Sequence, residues 1–186
     1  MESKSPQGTI AWIDVETTGV EVSDGHHLLQ VACIVTDDKL NELGTFDEAV
    51  FYDAVDAVFL REKVADDYVR SMHDATGLWE RLPSGLELPR LDEELLSFLQ
   101  RFEAEPGKLI FGGNSQFLDR DFLRAYAPKS YRHLHYRNLD MTSVEEFFAR
   151  TQGRARFEKK RTHDALDDIR ESIASCRYHW HESVPF

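Results

Sequence analysis

The chain has 186 residues, of which 41% are hydrophobic and 30% are charged, and its formal net charge is −12. This length and composition predict a single globular domain spanning residues 1–186, with a core that needs no disulfide or metal to hold it together. The acidic balance argues against a broad basic face that grips long duplex nucleic acid. The sequence contains no apolar run of about 18 residues, which argues against a membrane-spanning helix.

The N-terminal segment and the cysteines predict where the protein works. Residues 1–8 are polar, so they predict a flexible tail rather than a signal peptide. Cys33 and Cys176 both lie within apolar patterns, which is typical of reduced core thiols. Together these features predict a cytoplasmic protein.

The first half of the chain begins with three strand patterns. Apolar periodicity predicts strands over residues 9–17, 28–36 and 43–52. The links between them are short, so the three strands should form an antiparallel meander. Mixed helical sequence follows over residues 54–82, and the apolar spacing of residues 91–102 predicts an amphipathic helix.

The second half alternates strands with helices. Strands first, and then strands alternating with helices, predict an α/β fold in which helices flank a mixed five-stranded sheet whose first three strands are antiparallel. In chain order, the predicted elements are a strand over 108–115 that ends in a Gly-rich turn, a helix over 118–126, a short strand over 138–141, a helix over 144–150, a basic loop over 153–161 and a long helix from Asp164 onward.

Two carboxylates lie two residues apart on the first predicted strand. Asp14 and Glu16 should point to the same face, because side chains alternate along a strand. Adjacent carboxylates repel each other, and each is unfavourable to bury without a counter-charge. A shared metal ion would resolve both problems, and a solvated strand end is the alternative.

A third acidic residue occupies an apolar position of a helix. Phe122, Leu123 and Tyr126 follow Asp119 at helical spacing and define a buried stripe, whereas Asp121 lies on the opposite side. A carboxylate on that stripe requires either a helix N-terminus or a cation. Both interpretations stay open from the sequence.

The last helix supplies a histidine and a fourth acidic residue. Asp168 borders the apolar face more closely than Asp167 does, and His163 lies just before the helix. The ordinary pKa of histidine is about 6.5, so His163 could accept a proton near neutrality, and a polar surface position is the alternative. Four carboxylates from three places in the chain predict a site for two divalent cations, Mg²⁺ or Mn²⁺, about 3.5–4 Å apart.

With these residues in place, the sequence resembles the DEDDh exonucleases and, within them, the oligoribonucleases. The resemblance implies an RNase H-like fold, metal ligands at Asp14, Glu16, Asp119 and Asp168, and a general base at His163. It implies a metal-dependent 3′→5′ exonuclease that hydrolyses short single-stranded oligoribonucleotides, down to dinucleotides, to nucleoside 5′-monophosphates. The matching segments follow the family's order: IAWIDVETTGV (10–20), VACIVTDDKLNELG (31–44), GNSQFLDRDFL (113–123), HLHYRNLDMTSVEE (133–146) and THDALDDIRES (162–172).

The resemblance also implies residues that hold the substrate phosphates. Ser115, Arg137 and Thr142 match positions that cap the 5′ phosphate in the family, and His73 matches a further phosphate contact. Such a cap implies a preference for very short RNA.

Other matching positions imply contacts to the bases and to a second subunit. Val20 and Tyr68 match residues that wedge the two bases, and Tyr136 is expected to reach the partner's site in a homodimer. Tyr68 stands where the family usually has Trp, and Thr17 stands where it usually has Met. These departures keep open the alternative of a DNA or RNA exonuclease with less length restriction. A catalytically inactive relative that binds nucleic acid or protein is a further alternative, and the five intact catalytic positions argue against it.

Overall fold

The computed structural model describes residues 8–64, 66–158 and 164–183, with side chains described up to residue 180. Its strands are β1 (Ile10–Thr17), β2 (Leu28–Thr36), β3 (Glu42–Ala49), β4 (Leu109–Gly113) and β5 (Leu134–Asp140). They form one sheet in the order β3-β2-β1-β4-β5. β2 is antiparallel to both β1 and β3, whereas β4 is parallel to β1 and to β5. The predicted α/β fold with this mixed sheet is confirmed.

Helices cover both faces of the sheet. Four of them lie between β3 and β4 in the chain, and the first three of these contribute to a separate core cluster with Leu29 of β2 and Ala49 of β3. The helices are α1 (Ala54–Lys63), α2 (Asp67–Thr76), α3 (Leu78–Arg81), α4 (Leu88–Gln100), α5 (Phe117–Tyr126), α6 (Pro128–His133), α7 (Met141–Gln152) and α8 (Ala165–Ser183).

Side-chain alternation along β1 divides the core into two layers. Ala11, Ile13 and Val15 pack into the layer that contains the apolar faces of α4 and α5. Trp12 points the other way, into the layer that contains Ile169 of α8. All nine residues of β2 are buried, as expected for a strand covered on both faces. The even-numbered side chains of β1 therefore share a face with α8.

β1 and β4 stop pairing before β1 ends. Their register runs from Ile10 to Trp12, while β1 continues to Thr17. Gly112 permits the close approach of the paired part, because a Cβ there would lie 2.8 Å from side-chain atoms of Trp12. Beyond Trp12 the C-terminal ends of β1 and β4 no longer pair with each other. In open α/β sheets, ligands bind at the C-terminal ends of the strands, where neighbouring strands separate.

The segment predicted as mixed helix divides into three helices. Asp53 caps α1 by accepting two backbone N–H groups of its first turn, and Asp66 caps α2 in the same way. Gly77, with a φ of +69°, ends α2 in the left-handed conformation that glycine tolerates. Local capping thus breaks a segment whose apolar pattern alone predicted no boundaries.

The sequence pattern did not predict α6. Pro128 ends α5, as expected, but it also begins α6, because proline fits the first turn of a helix. Asp92 of α4 caps this helix by accepting the N–H groups of Lys129 and Ser130 at 2.9 and 2.8 Å. A cap supplied by a distant helix leaves no local sequence signal. β5 also begins at Leu134, earlier than the predicted strand over 138–141.

Three smaller expectations can be compared with the structure. Cys33 and Cys176 are both free thiols, as predicted, and burial raises the pKa of each. Among the helices of the described residues, none combines the length and the apolar character that crossing a membrane requires. The predicted tail over residues 1–8 lies outside the described residues, apart from Gly8.

Candidate active site

An acidic cluster lies where β1 ends. One carboxylate oxygen from each of Asp14, Glu16 and Asp168 lies within 4.8 Å of the others. Asp14 and Glu16 share the face of β1 that α8 covers, and the packing of Ala165 and Ile169 into that layer brings Asp168 to them. Three of the four predicted ligands are therefore adjacent, although Asp168 lies more than 150 residues after Asp14 and Glu16 in the chain.

Asp119 reaches the same strand from the opposite face of the sheet. Its carboxylate accepts the backbone N–H of Val15 at 3.0 Å, and its side chain is buried. This N–H lies on β1 beyond the stretch that pairs with β4, so the carboxylate takes the place of a strand partner. Asp121, two residues on, pairs instead with Arg124 near the surface. The structure thus sets Asp119 against the backbone between Asp14 and Glu16.

The electrostatics of the cluster match a site for cations. Burial raises the pKa of Glu16 from an ordinary value of 4.5 to about 8, with further contributions from Asp168, Asp119 and Asp164. Burial also raises the pKa of Asp119 to about 7, against the N–H bond from Val15, which lowers it. Buried carboxylates that repel one another gain most from a shared divalent cation.

The donor set also fits the predicted metals. Carboxylate oxygens are hard ligands, which suit Mg²⁺ and Mn²⁺. The described part of the cluster offers oxygen atoms, and a nearby positive charge would stabilise the ionised form of its buried acids. The residues therefore fit two divalent cations, and the number and identity of the cations stay predictions.

The acidic residues at the start of α8 lie in different environments. Asp164 accepts the N–H of Asp167 at 3.2 Å, as expected for an N-cap. Asp167 is exposed and lies 3.7 Å from Arg170, whereas Asp168 is half-buried and turned to the cluster. His163, the predicted general base, lies outside the described residues.

The buried position of His73 does not fit the phosphate contact that the resemblance implies. Its side chain is fully buried, and its Nε2 lies 2.9 Å from the carbonyl oxygen of Thr17. Its Nδ1 lies 3.7 Å from Glu16, and its ring meets Trp79 edge to face. A buried ring in these contacts has no open surface on which to meet a phosphate. The phosphate contact therefore has no support in this geometry, which favours a role in orienting Glu16.

Two of the three predicted cap residues lie together at the start of α7. The hydroxyl oxygens of Ser115 and Thr142 are 3.1 Å apart. The carboxylate of Asp140 accepts the backbone N–H groups of both residues at 3.0 Å. Ser115 adopts a φ of +49°, unusual for a residue with a side chain, so this loop is held by its contacts. Asp140 is not among the residues predicted from the sequence, although an Asp before a helix is an N-cap signal.

The other predicted substrate residues are exposed. Val20 is 66% exposed and Tyr68 is 60% exposed, so both can meet a ligand from solvent. Tyr136, on the edge strand β5, is 75% exposed, and the guanidinium of Arg137 lies 5.3 Å from its ring centroid. The structure does not bring Arg137 into a described contact with the two hydroxyls.

The basic loop over residues 153–161 carries charges that could guide a nucleic-acid substrate, and a solvated loop is the alternative. Its described arginines instead contact α7: Arg156 pairs with Glu146, and Arg154 lies 4.7 Å from the ring centroid of Phe148. Lys159, Lys160 and Arg161, the rest of the cluster, lie outside the described residues. The described part of this loop therefore packs on the protein.

Comparison with known protein families identifies a match over most of the chain. Residues 11–175 match the family model described as "Exonuclease". An oligoribonuclease from Streptomyces avermitilis is 40% identical, with the alignment covering 91% of this chain and 84% of that protein. One from Cutibacterium acnes is 35% identical over 93% and 84%, and one from Francisella tularensis subsp. novicida is 32% identical over 91% and 93%.

Solved structures share the fold at low sequence identity. The zinc-bound complex of E. coli ExoI with single-stranded DNA superposes with a TM-score of 0.70 at 15% identity. The same enzyme with a dA16 oligonucleotide gives 0.71 at 15% identity. The matches cover 95% of this chain but 41% and 42% of those longer chains. At this identity the likeness shows the fold alone.

Proposed function

The chain belongs to the exonuclease family and, within it, to the oligoribonucleases, so it is a 3′→5′ exoribonuclease; we propose that it hydrolyses short single-stranded oligoribonucleotides with two divalent cations. The observation that carries this proposal is the acidic cluster at the end of β1. Asp14, Glu16 and Asp168 converge within 4.8 Å, and Asp119 is fixed beside them on Val15.

Each acidic residue has a defined part in holding the cations. Asp14, Glu16 and Asp168 would hold the cations through carboxylate oxygens, and Asp119, fixed on the N–H of Val15, would add a further carboxylate to the site. When bound, the cations would supply positive charge that stabilises the phosphate oxygens in the transition state and makes water a better nucleophile. Mg²⁺ and Mn²⁺ both suit this donor set.

The proton transfer is assigned to His163. As general base, its imidazole takes a proton from a water molecule whose oxygen forms a bond to the terminal phosphorus. The bond from that phosphorus to the 3′ oxygen of the preceding nucleotide breaks, and this oxygen gains a proton. The products are a nucleoside 5′-monophosphate and an RNA one nucleotide shorter. The assignment rests on the sequence position of His163, which directly precedes Asp164. The charge of Asp164 contributes to the raised pKa of Glu16, so the start of α8 lies near the acidic cluster.

Substrate length would be limited by a cap for the 5′ phosphate. Ser115 and Thr142 present two hydroxyls at the N-terminus of α7, and hydroxyl groups can donate to the oxygens of a phosphate. Arg137 would add a bidentate contact on phosphate binding. A longer RNA cannot place its 5′ end there, so it would lose this binding energy and with it turnover.

The alternative of weaker length restriction has one specific observation in its favour. Val20 and Tyr68 present the apolar and aromatic surfaces for stacking bases, but tyrosine offers less stacking area than the tryptophan usual in the family. A looser wedge would hold a dinucleotide less firmly and tolerate longer RNA or DNA. The inactive alternative is disfavoured because all four acidic positions are filled.

We also propose a homodimer and a cytoplasmic location. Tyr136 is 75% exposed on the edge strand β5, where a second copy could be reached without rearrangement of the fold. In the dimer its ring would contact the substrate bound by the partner. The cytoplasmic proposal rests on the expected RNA substrate and on the free thiols of Cys33 and Cys176.

One assay separates these functions. End-labelled RNA and DNA of two to about twenty nucleotides, with either a 5′ phosphate or a 5′ hydroxyl, are incubated with Mg²⁺, Mn²⁺ or EDTA and resolved on gels. The proposal expects cation-dependent removal of 3′ nucleotides, fastest on 5′-phosphorylated RNA of two to five nucleotides because the cap is then filled. Equal rates on all lengths would favour the general exonuclease, and no cleavage would favour the inactive relative.

A further inference from the structure

Ser172 lies at the junction between α8 and the loop that follows β4. Its side chain is buried, and its hydroxyl donates to the backbone carbonyl of Asp168, one turn earlier, at 2.9 Å. The same oxygen accepts from the side-chain amide of Asn114. A serine hydroxyl has one proton, so donation to Asp168 leaves it only an acceptor toward Asn114, which fixes the orientation of that amide.

Asn114 connects three parts of the site through its place in the chain. It is the first residue after β4. Ser115, the next residue, belongs to the proposed phosphate cap, and α5 follows with Asp119 in its first turn. The Asn114 side chain thus ties the loop that carries these groups to the turn of α8 that carries Asp168.

Apolar packing alone does not set the position of α8 along its axis. Ala165, Ile169 and Ile173 hold the helix against the sheet, but such contacts are non-directional and tolerate small shifts. A hydrogen bond has narrow limits on distance and angle. Farther along α8, Ser175 makes a comparable bond to Glu145 of α7, away from the cluster.

We propose that Asn114 and Ser172 are positioning residues for the metal centre: their hydrogen bond fixes Asp168 at the separation from Asp14, Glu16 and Asp119 that two cations require. This inference rests on the proposed two-metal function. Neither side chain is placed on the substrate or the cations. They act by holding the backbone of a ligand, and outer partners of this kind typically contribute about 10–100-fold in metal affinity or activity.

The test compares two buried serines of one helix. Ser172→Ala and Ser175→Ala each remove one hydroxyl from α8, and each parent side chain is buried. Three quantities are measured on the full chain: Mn²⁺ affinity by titration calorimetry without substrate, kcat and KM on a 5′-phosphorylated RNA dinucleotide, and the Tm. Asn114→Ala and the double variant Asn114→Ala/Ser172→Ala complete the set, and Ser172→Thr restores a hydroxyl.

The expected results differ between the two serines. Ser172→Ala should lower Mn²⁺ affinity and kcat about tenfold, the low end for outer partners, with KM little changed. Asn114→Ala should cause losses of Mn²⁺ affinity and kcat similar to those of Ser172→Ala. The double variant should lose no more than either single variant, because both substitutions remove the same hydrogen bond. Ser172→Thr should recover most of both losses. Ser175→Ala should lower the Tm while keeping wild-type Mn²⁺ affinity and kcat.

Two contrary outcomes are distinguishable. If Ser172→Ala and Ser175→Ala lose similar Tm and both keep wild-type Mn²⁺ affinity and kcat, Ser172 is a packing residue and the inference is wrong, while the proposed function stands. If Ser172→Ala does not fold, Asn114→Ala decides by the same readouts. If the wild-type protein neither binds Mn²⁺ nor cleaves RNA, the proposed function fails together with the inference.

Discussion

The acidic cluster at the end of β1 and the residues predicted to grip the substrate lie in different environments. Glu16 and Asp119 are buried and held by the sheet and by a backbone N–H group. Val20, Tyr68 and Arg137 are exposed on a turn, a helix and an edge strand. Chemistry that requires fixed charges is built on rigid elements, whereas the surface that selects a substrate can change without disturbing the core.

One departure from the family pattern shows the same difference. The acidic positions are all filled, while Tyr68 stands in place of the usual Trp at an exposed position. A change at an exposed aromatic alters stacking area but leaves the fold of the metal centre untouched. The comparison therefore predicts that variants of the two regions will have separable effects: loss of turnover at the cluster, and altered preference at the surface.

The largest effect is expected from neutralising a buried acid. Asp119→Asn keeps the shape of the side chain and an acceptor for the N–H of Val15 but removes the charge, so turnover should fall by about 10²–10³-fold or more. Asp121→Asn is the matched control, because Asp121 lies on the same helix and pairs with Arg124 at the surface. Single-turnover rates on short RNA measure both.

A second pair makes the same comparison on α8. Asp168→Asn should behave like Asp119→Asn, and the exposed neighbour Asp167→Asn should stay near the wild-type rate. A wild-type rate for Asp168→Asn combined with a loss for Asp167→Asn would reverse the assignment of the ligand on this helix.

The next largest effect concerns the general base. His163→Ala should lower kcat by about 10²-fold, toward the low end for general-base catalysis, while Mn²⁺ binding measured by calorimetry stays close to that of the wild type. A rise in the pH of the reaction should recover part of the lost rate, since hydroxide becomes more abundant. Loss of Mn²⁺ affinity in this variant would instead identify His163 as a ligand.

A smaller effect is expected at the surface region. Arg137→Ala should reduce the preference for 5′-phosphorylated dinucleotides by roughly 10- to 100-fold, because one charge-assisted contact contributes about 1.5–3 kcal/mol. Rates on longer RNA should change little, since these substrates do not fill the cap. Arg137→Lys keeps the positive charge but not the planar guanidinium that binds a phosphate through two N–H groups. Its preference for 5′-phosphorylated dinucleotides should therefore lie between those of the wild type and Arg137→Ala. Equal slowing of all lengths would place Arg137 outside the cap.

The smallest effect is on stability and follows from the raised pKa of Glu16. Its pKa of about 8 in the folded state exceeds the ordinary value of 4.5. Below pH 4.5 the Glu16 carboxyl group is protonated in both the folded and the unfolded protein, so its full contribution to the free energy of unfolding is present there. As the pH rises toward 8, the unfolded protein loses this proton first, and the contribution is lost. The Tm of the metal-free protein should therefore fall by a few degrees across this range, and Mn²⁺ should reverse the fall.

Glu16→Gln isolates this contribution, because the amide does not titrate. The variant should lose less Tm than the wild type between the low and the high end of the range, when each is measured by calorimetry in EDTA. Identical pH profiles for the wild type and Glu16→Gln would mean that other acids set the profile, and that Glu16 does not carry the raised pKa.

The sequence predicted the parts of the site that follow from local periodicity. Asp14 and Glu16 were identified because period two places them on one face, and Asp119 because it interrupts an apolar stripe. The structure brings Asp119 to β1 only because β4 stops pairing at Trp12, which is a long-range property of the sheet. Periodicity within one segment contains no information about where two distant strands separate.

Residues that depend on tertiary contacts were missed or given another role. The bond between Asn114 and Ser172 joins residues 58 positions apart, and the cap of α6 comes from Asp92 on another helix. His73 matched a phosphate contact by resemblance, yet the packing of Trp79 and the carbonyl of Thr17 enclose its ring. Burial of a polar side chain on a partly exposed helix is decided by what packs over it, which sequence spacing does not reveal.

The two-metal proposal can be tested with a crystal of the protein soaked in Mn²⁺, with anomalous differences measured at the manganese edge. Two anomalous peaks about 3.5–4 Å apart are expected at the end of β1, within bonding distance of oxygens from Asp14, Glu16, Asp119 and Asp168. Peaks confined to surface carboxylates, with none in this cluster, would contradict it.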